Sequence, residues 1–418
     1  MYVVGLVSAA GVDTYYRLDS TGMPHAMAVG DNSNKKGTFP GSDALSKDAV
    51  AVLAQSYPSD WADYSIAVSL TAPVSIDLSQ INPANCPDLG TGTAAFSGRV
   101  YISVGVPRLP FTALANGYTA PVTSGGPGEF TLFDWIEFSF DSAGAFNGNT
   151  TQVDQFGFEL LLNGTPGGTL QGQLNQTRSA IINAFSNLPD PFTNLLQVQA
   201  PAAAAAAYPP GISFLRVISP KTITAPPTFT GKMKTYFDDV IKSSYWRWKD
   251  TPLVTFDQST GFFTGLAIPQ AVSSLGILTF FQGEFPTLQE LSPQTRPVAF
   301  QLTGTDPATK VILTSDIWQC VNTLASGSDA QKNVGKMLAA AFNRGVVADR
   351  LDDANCENNA ASFYPTGGTW NLWARIFHDF SANKLAYGFP YDDVCNQNPS
   401  ISLTGTQSVT ITLGKFNS

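Results

Sequence analysis

The chain has 418 residues, long enough for a large core and two or three structural units, and 43% of them are hydrophobic against only 13% charged. A net charge of −9 without clustered Lys or Arg excludes a nucleic-acid partner and suits a neutral ligand such as a polysaccharide. No run approaches the roughly 20 apolar residues of a membrane span, while 36 Gly and 28 Pro point to many short strands and turns, as in a β-rich extracellular protein.

In chain order, Met1 to Ala10 lack a basic n-region and a long apolar run, so they read as a strand and not as a signal peptide. Ser65 to Leu70, Val74 to Leu78 and Arg99 to Val106 place Ile, Val or Leu at every second position, which predicts half-buried antiparallel strands of a sandwich or barrel. In Phe133 to Asp141 the same alternation puts Ile136, Phe138 and Phe140 on a core face, with Trp135, Glu137, Ser139 and Asp141 on a wet one. Ser142 to Asn149 then reads as a loop and Thr150 to Phe158 as the returning strand, and symmetric pairing about that loop sets Asp154 across from Glu137.

Helical spacing follows in Gln173 to Leu188 and in Thr230 to Trp248. Between them Pro201 to Gly211 reads as an exposed connector. Ser328 is placed to cap a helix over Asp329 to Asn343, and a further helix is predicted over Trp370 to Phe380. Ser408 to Leu413 alternates again and is expected to complete the first β unit.

Several chemistries find no support. Two histidines, His25 and His378, cannot form a three-His metal site, and neither HExxH, GxSxG nor a phosphate-binding glycine loop is present, so no metal and no cofactor is expected. Cys86, Cys320, Cys356 and Cys395 lack CxxC spacing and fit up to two disulfides, with buried free thiols as the alternative; Cys356 with Cys395 and Cys86 with Cys320 is the preferred pairing. Asn149, Asn163 and Asn175 each begin an N-x-Thr triplet. Aromatics interleave with polar residues in Tyr245 to Trp248 and in Tyr364 to Trp373, as a sugar-stacking face or as packing between units.

Most glycosidases need two carboxyl groups flanking the scissile bond. Glu137 and Asp154 are such a pair if the hairpin brings them together, and otherwise they are solvated surface acids. The run FDWIEFSF followed by NTTQVDQFGF, with SGRVYISVG (Ser97 to Gly105) before it and AAAFNRGV (Ala339 to Val346) and HDFSANKLAYGFPYDDV (His378 to Val394) after it, resembles glycoside hydrolase family 64, the endo-β-1,3-glucanases of the thaumatin-like superfamily.

That resemblance implies a mainly β fold with an α+β part. A thaumatin-like barrel or sandwich would be built from both chain ends (1–162 and 300–418), and a mixed α/β unit (163–299) would flank a wide groove. It implies an inverting endo-β-1,3-glucanase, secreted and monomeric, acting on β-1,3-glucan, with no nucleic-acid or membrane partner. A catalytically silent glucan-binding protein is the alternative. Glu137 would be the general acid and Asp154 the general base. Trp135, Ser139, Asp141, Phe146, Asn149 and Thr151 would contact the sugar.

Overall fold

The computed structural model describes residues 1–9, 12–34, 39–69, 72–84, 94–165, 168–195, 197–223, 231–270, 273–352, 360–405 and 408–414. The alternating runs near the N-terminus and around Glu137 form one antiparallel seven-stranded sheet. Its order is Ser400–Leu403, Phe146–Thr150, Leu132–Asp141, Ala94–Val104, Tyr2–Ala9, Val12–Leu18 and Pro24–Ala26, so strands from both ends of the chain enter it. It is open at both edges, a layered sheet and not a closed barrel.

One face carries Phe96, Ile136, Phe138, Phe140 and Phe146 into a core shared with Leu160, Leu162 and Ile401. The two-stranded ribbon of Leu160–Thr165 and Ser408–Leu413 covers that face. Its Val409, Ile411 and Leu413 pack on the core, as the alternation of the last strand predicts. Ala202–Ala207 forms tight helical turns that bury Ala204 and Ala207 in this core, so the segment is anchored and not an exposed connector.

Ser65–Ser69 and Val74–Leu78 form no regular strands. The Asp63 and Asp77 carboxylates take the backbone amides of Ser65 and Ser79 in local turns, which compete with a strand ladder. Ile66 instead exchanges hydrogen bonds with the chain's first residue, Met1.

A second core surrounds a five-stranded sheet in the order Phe300–Leu302, Ser273–Gln282, Gly261–Gln270, Leu253–Asp257 and Arg350–Asp352, so strand pairing crosses position 300. Helices Asp238–Arg247, Asp329–Arg344 and Leu372–Phe380 pack into the same core. The Asp329 helix begins where the sequence says it should: Ser328 Oγ accepts from Gln331 N, the Gln331 side chain returns the bond, and Gly345 closes the helix at φ 70°.

The helix expected over Gln173 to Leu188 is shorter, Arg178–Ser186. The Leu174 amide is taken by the Glu159 carboxylate and the Asn175 amide by the Phe380 carbonyl, which tie this stretch to other segments, and the helix starts only after the extended N-cap Thr177, whose side chain accepts the Ala180 amide. At the junction of helices and loops, buried Asp392 bonds Arg344 at 2.8 Å and His378 at 3.0 Å. Burial works against its charge, but the contacts with His378, Arg344 and the Gly388 amide hold its carboxyl below the usual range.

Cys320 is a free, buried thiol, which overturns a Cys86–Cys320 disulfide; Cys86 and Cys356 lie outside the described residues, and with them the pairing expected for Cys395.

Candidate active site

Alternation places Trp135, Glu137 and Ser139 on the sheet face opposite the phenylalanine core, and the pairing register extends that face sideways. One transverse row reads Val4, Arg99, Glu137, Asn149 and Ser400. The next reads Leu6, Ser97, Ser139, Asn147 and Ser402. Side chains from these rows line a groove of about 590 Å³ that runs across the strands. Its floor is chiefly hydroxyl and amide groups, with one glutamate and one arginine.

The dry end of the same face explains Trp135. Tyr2, Val4, Tyr101, Phe133 and Trp135 pack beneath Ala62, Tyr64, Leu109 and Phe111, leaving Trp135 only 4% exposed. It is a wall of the core where the sequence suggested a wet face, and it supports Arg99, whose guanidinium lies 4.9 Å from the indole ring. Glu137 stands where that cluster gives way to the groove. Its Oε1 accepts from Arg99 Nη2 at 2.8 Å and from Nε at 3.1 Å. The nearest charge to Glu137 is therefore a cation and not the acidic neighbours that the sequence placed around it.

The hairpin register differs from the symmetric one. Asn149, not Asp154, lies across from Glu137, because the turn is tight: Asp141 Oδ1 accepts the amides of Ala143 and Ala145, and Gly144 turns the chain at φ 84°. The returning strand thus begins at Phe146. Asp141 serves the turn, and Phe146 pairs with Phe140 and sends its ring into the core, stacked on Phe138 at 5.6 Å, on the side away from the groove. Ser139 and Asn149 do line the groove. Thr151 is buried and its Oγ1 accepts the Val153 amide in the turn leading to Asp154.

Asp154 is held from another direction. Its Oδ1 accepts from Lys221 Nζ at 2.5 Å and from Thr222 Oγ1 at 3.3 Å, and its carbonyl accepts from Ser219 N. Arg99 feels both carboxylates. Burial works against its charge, yet Tyr101, Glu137 and Asp154 all favour it, and the guanidinium is held above its ordinary value. One cation therefore stands within electrostatic reach of both acids. Tyr387, whose carbonyl accepts the Gln152 amide, is pushed up mainly by burial and then by Asp393 and Glu137.

Behind the site, buried Asp134 ties the Glu137 strand to the segment after Asp154. Its Oδ2 accepts the amides of Gly157 and Phe158, and Gln155 Nε2 donates to the Phe133 carbonyl. Burial pushes the Asp134 carboxyl up to about 7 against the pull of these amides and of Arg216. Arg216, fully buried, donates to the carbonyls of Thr123, Glu129, Gly128 and Thr131 and lies 4.5 Å from the Phe133 ring.

Arg99, Lys221 and Asp134 were not singled out from the sequence. For Arg99 a signal existed, since SGRVYIS alternates Ser97, Arg99 and Tyr101 on one face. Lys221 is 67 residues from its partner and carries no local mark. Among the described residues, no group of three or more His, Cys, Asp or Glu could hold a metal ion.

Residues 38–413 match the sequence model of the family 64 glycoside hydrolases, described as β-1,3-glucanases. The chain belongs to glycoside hydrolase family 64. Solved structures of the family share its fold. A laminaripentaose-producing β-1,3-glucanase in complex with laminaritetraose aligns with TM-score 0.64 at 19% identity, over 100% of this chain and 95% of that one. The family 64 β-1,3-glucanase domain from Clostridium beijerinckii gives 0.66 at 19%, covering 99% and 93%. The Paenibacillus barengoltzii laminaripentaose-producing enzyme, complexed with laminarihexaose, gives 0.51 at 20%, covering 99% and 70%. No curated protein sequence matches the chain. As a family 64 member it is a hydrolase, and the resemblance carried by FDWIEFSF and its companion segments falls within the matched residues 38–413.

Proposed function

We propose that this family 64 hydrolase is a secreted, monomeric endo-β-1,3-glucanase that cleaves laminarin, curdlan or fungal wall glucan by single-displacement inversion, with Glu137 as general acid and Asp154 as general base. The observation that carries the reading is Glu137 on a groove lined chiefly by hydroxyl and amide groups, where the aromatic cluster gives way to it, with Arg99 in electrostatic reach of Asp154 as well. A groove lined chiefly by hydroxyl and amide groups, with Arg99 and Glu137 as its charged residues, suits a neutral polymer.

The tight hairpin supports inversion better than a symmetric one would. Directly opposed strand positions stand about 5 Å apart at Cβ, whereas inversion requires about 6.5 to 9.5 Å between carboxyl groups to admit a water. Asp154 is not opposed to Glu137 and is anchored by Lys221 on its own segment. Lys221 and Thr222 fix the Asp154 side chain through hydrogen bonds to its Oδ1, which orients it for a single role. The low charge content and the abundance of Gly and Pro support extracellular action on wall polysaccharide.

The test is incubation with laminarin and curdlan, with products sized and their anomeric configuration followed by NMR. An initial α-anomer is expected, and an initial β-anomer refutes inversion. Glu137→Gln and Asp154→Asn should each lower kcat by about a hundredfold or more, the scale of a lost general acid or base; near-normal turnover in either variant removes that residue from its role.

A further inference from the structure

The row containing Ser97 and Ser139 continues past Leu6 to Tyr15 on the neighbouring strand Val12–Leu18. Tyr15 and Tyr118 stand together there at the groove's end, ring centroids 5.8 Å apart and interplanar angle 80°, so that one ring meets the other edge-on. Both rings are half-buried, and Tyr15 belongs to no hydrophobic cluster among the described residues, unlike the buried aromatics Tyr101, Phe111 and Trp135 on the same side of the sheet. Of the aromatic residues that line the groove, Phe138 has its ring in the core stacked on Phe146, which leaves Tyr15 and Tyr118 as the pair at this end.

The geometry points to Tyr15 and Tyr118 as a stacking subsite for a glucosyl ring of the substrate, which anchors one end of the bound chain and sets how many sugar units lie between that end and the cut. This deepens the glucanase reading and rests on it. Glu137 and Tyr15 are separated by three strand-to-strand steps, about 14 Å at about 4.8 Å each, the reach of a short oligosaccharide laid across the strands. A sugar ring offers an apolar face edged by hydroxyls. Tyrosine matches both: the ring covers the apolar face and the phenol end stays polar. Between the tyrosines and the acid, Ser139 and Ser97 supply hydrogen-bonding groups on two of the strands and Leu6 an aliphatic surface on the third. Tyr15 lies on the N-terminal strand Val12–Leu18, before residue 38, where the match to the family's sequence model begins.

Kinetics on laminari-oligosaccharides of increasing length test the subsite. In Tyr15→Ala, KM should rise about tenfold for chains long enough to reach the platform and progressively less for shorter ones, with a shifted product-size distribution. Tyr15→Phe should restore the wild-type length profile. Tyr15→Leu retains packing bulk against Tyr118 without a planar face, and should behave like Tyr15→Ala. A length profile and product sizes identical to wild type in both Tyr15→Ala and Tyr15→Leu overturn the inference. Should the wild-type protein hydrolyse no glucan, the proposed function fails, and retardation in laminarin-containing gels then decides the subsite: reduced retardation of Tyr15→Ala supports it, and wild-type retardation overturns it.

Discussion

Arg99 touches the acid, leans on an indole and feels the second carboxylate, so one side chain couples the dry and wet ends of the sheet face. Its pair with Glu137 is about one-third exposed on both sides, and water will screen it enough to make its contribution to stability small. Its value lies in orientation. Arg99→Met should lower kcat/KM about tenfold or more while leaving the unfolding midpoint close to wild type, a drop on the scale of a misplaced catalytic group. Equal losses of activity and stability would mark Arg99 as a packing residue only. At this scale the sequence was informative where strict alternation rules: Glu137 and Ser139 stand on the face opposite the phenylalanine core and line the groove. It misled where a local turn decides register. Asp141 and Gly144 carry the chemistry of a tight turn, yet the polar run through Asn149 looked like open loop, and that difference moved Asp154 away from Glu137 and turned Phe146 into the core.

At the scale of elements, caps and strand faces were the most legible signals. The Ser328 to Gly345 helix announces itself through its own ends, because its first amides and last carbonyls must find partners within a few residues. Ser328→Ala should therefore cost about 1 kcal/mol of stability, read as a lower urea midpoint with an unchanged slope; no change would mean that tertiary packing alone fixes the helix start. The closing strand Ser408–Leu413 was equally readable, since each apolar residue of the alternating set packs on the ribbon's core. What could not be read was pairing over long sequence distance. Ile66 bonding Met1, or Lys221 bonding Asp154, depends on which segments the two cores bring together. Local pattern carries no trace of that choice.

Across the whole molecule, the strands and helices share buried charges instead of a single continuous core. Asp134 is the member whose titration reaches the neutral range. Its folded value of about 7 stands above the roughly 3.9 of an unfolded aspartate, so the folded protein holds a proton that the unfolded chain has released. Stability linked to this group is therefore fully present at low pH, and it declines as pH rises from about 4 through 7. In Asp134→Asn that decline is absent. The urea midpoint of the wild type relative to the variant should fall between pH 5 and pH 8. A difference between the two that is constant over this range would show that Asp134 does not take up a proton on folding. Because Asp134 also clasps Gly157 and Phe158, the same residue links the strand of the acid to the segment of the base.

The position of Asn149 has a consequence for how the protein can be made. It opens an N-x-Thr triplet and lies on the groove floor directly across from Glu137. A carbohydrate tree attached there in a eukaryotic secretory pathway would fill the trough with the producer's own sugar. The choice of expression host is thus part of the chemistry: a host that does not modify asparagine yields an open groove, and one that does yields an enzyme blocked at birth.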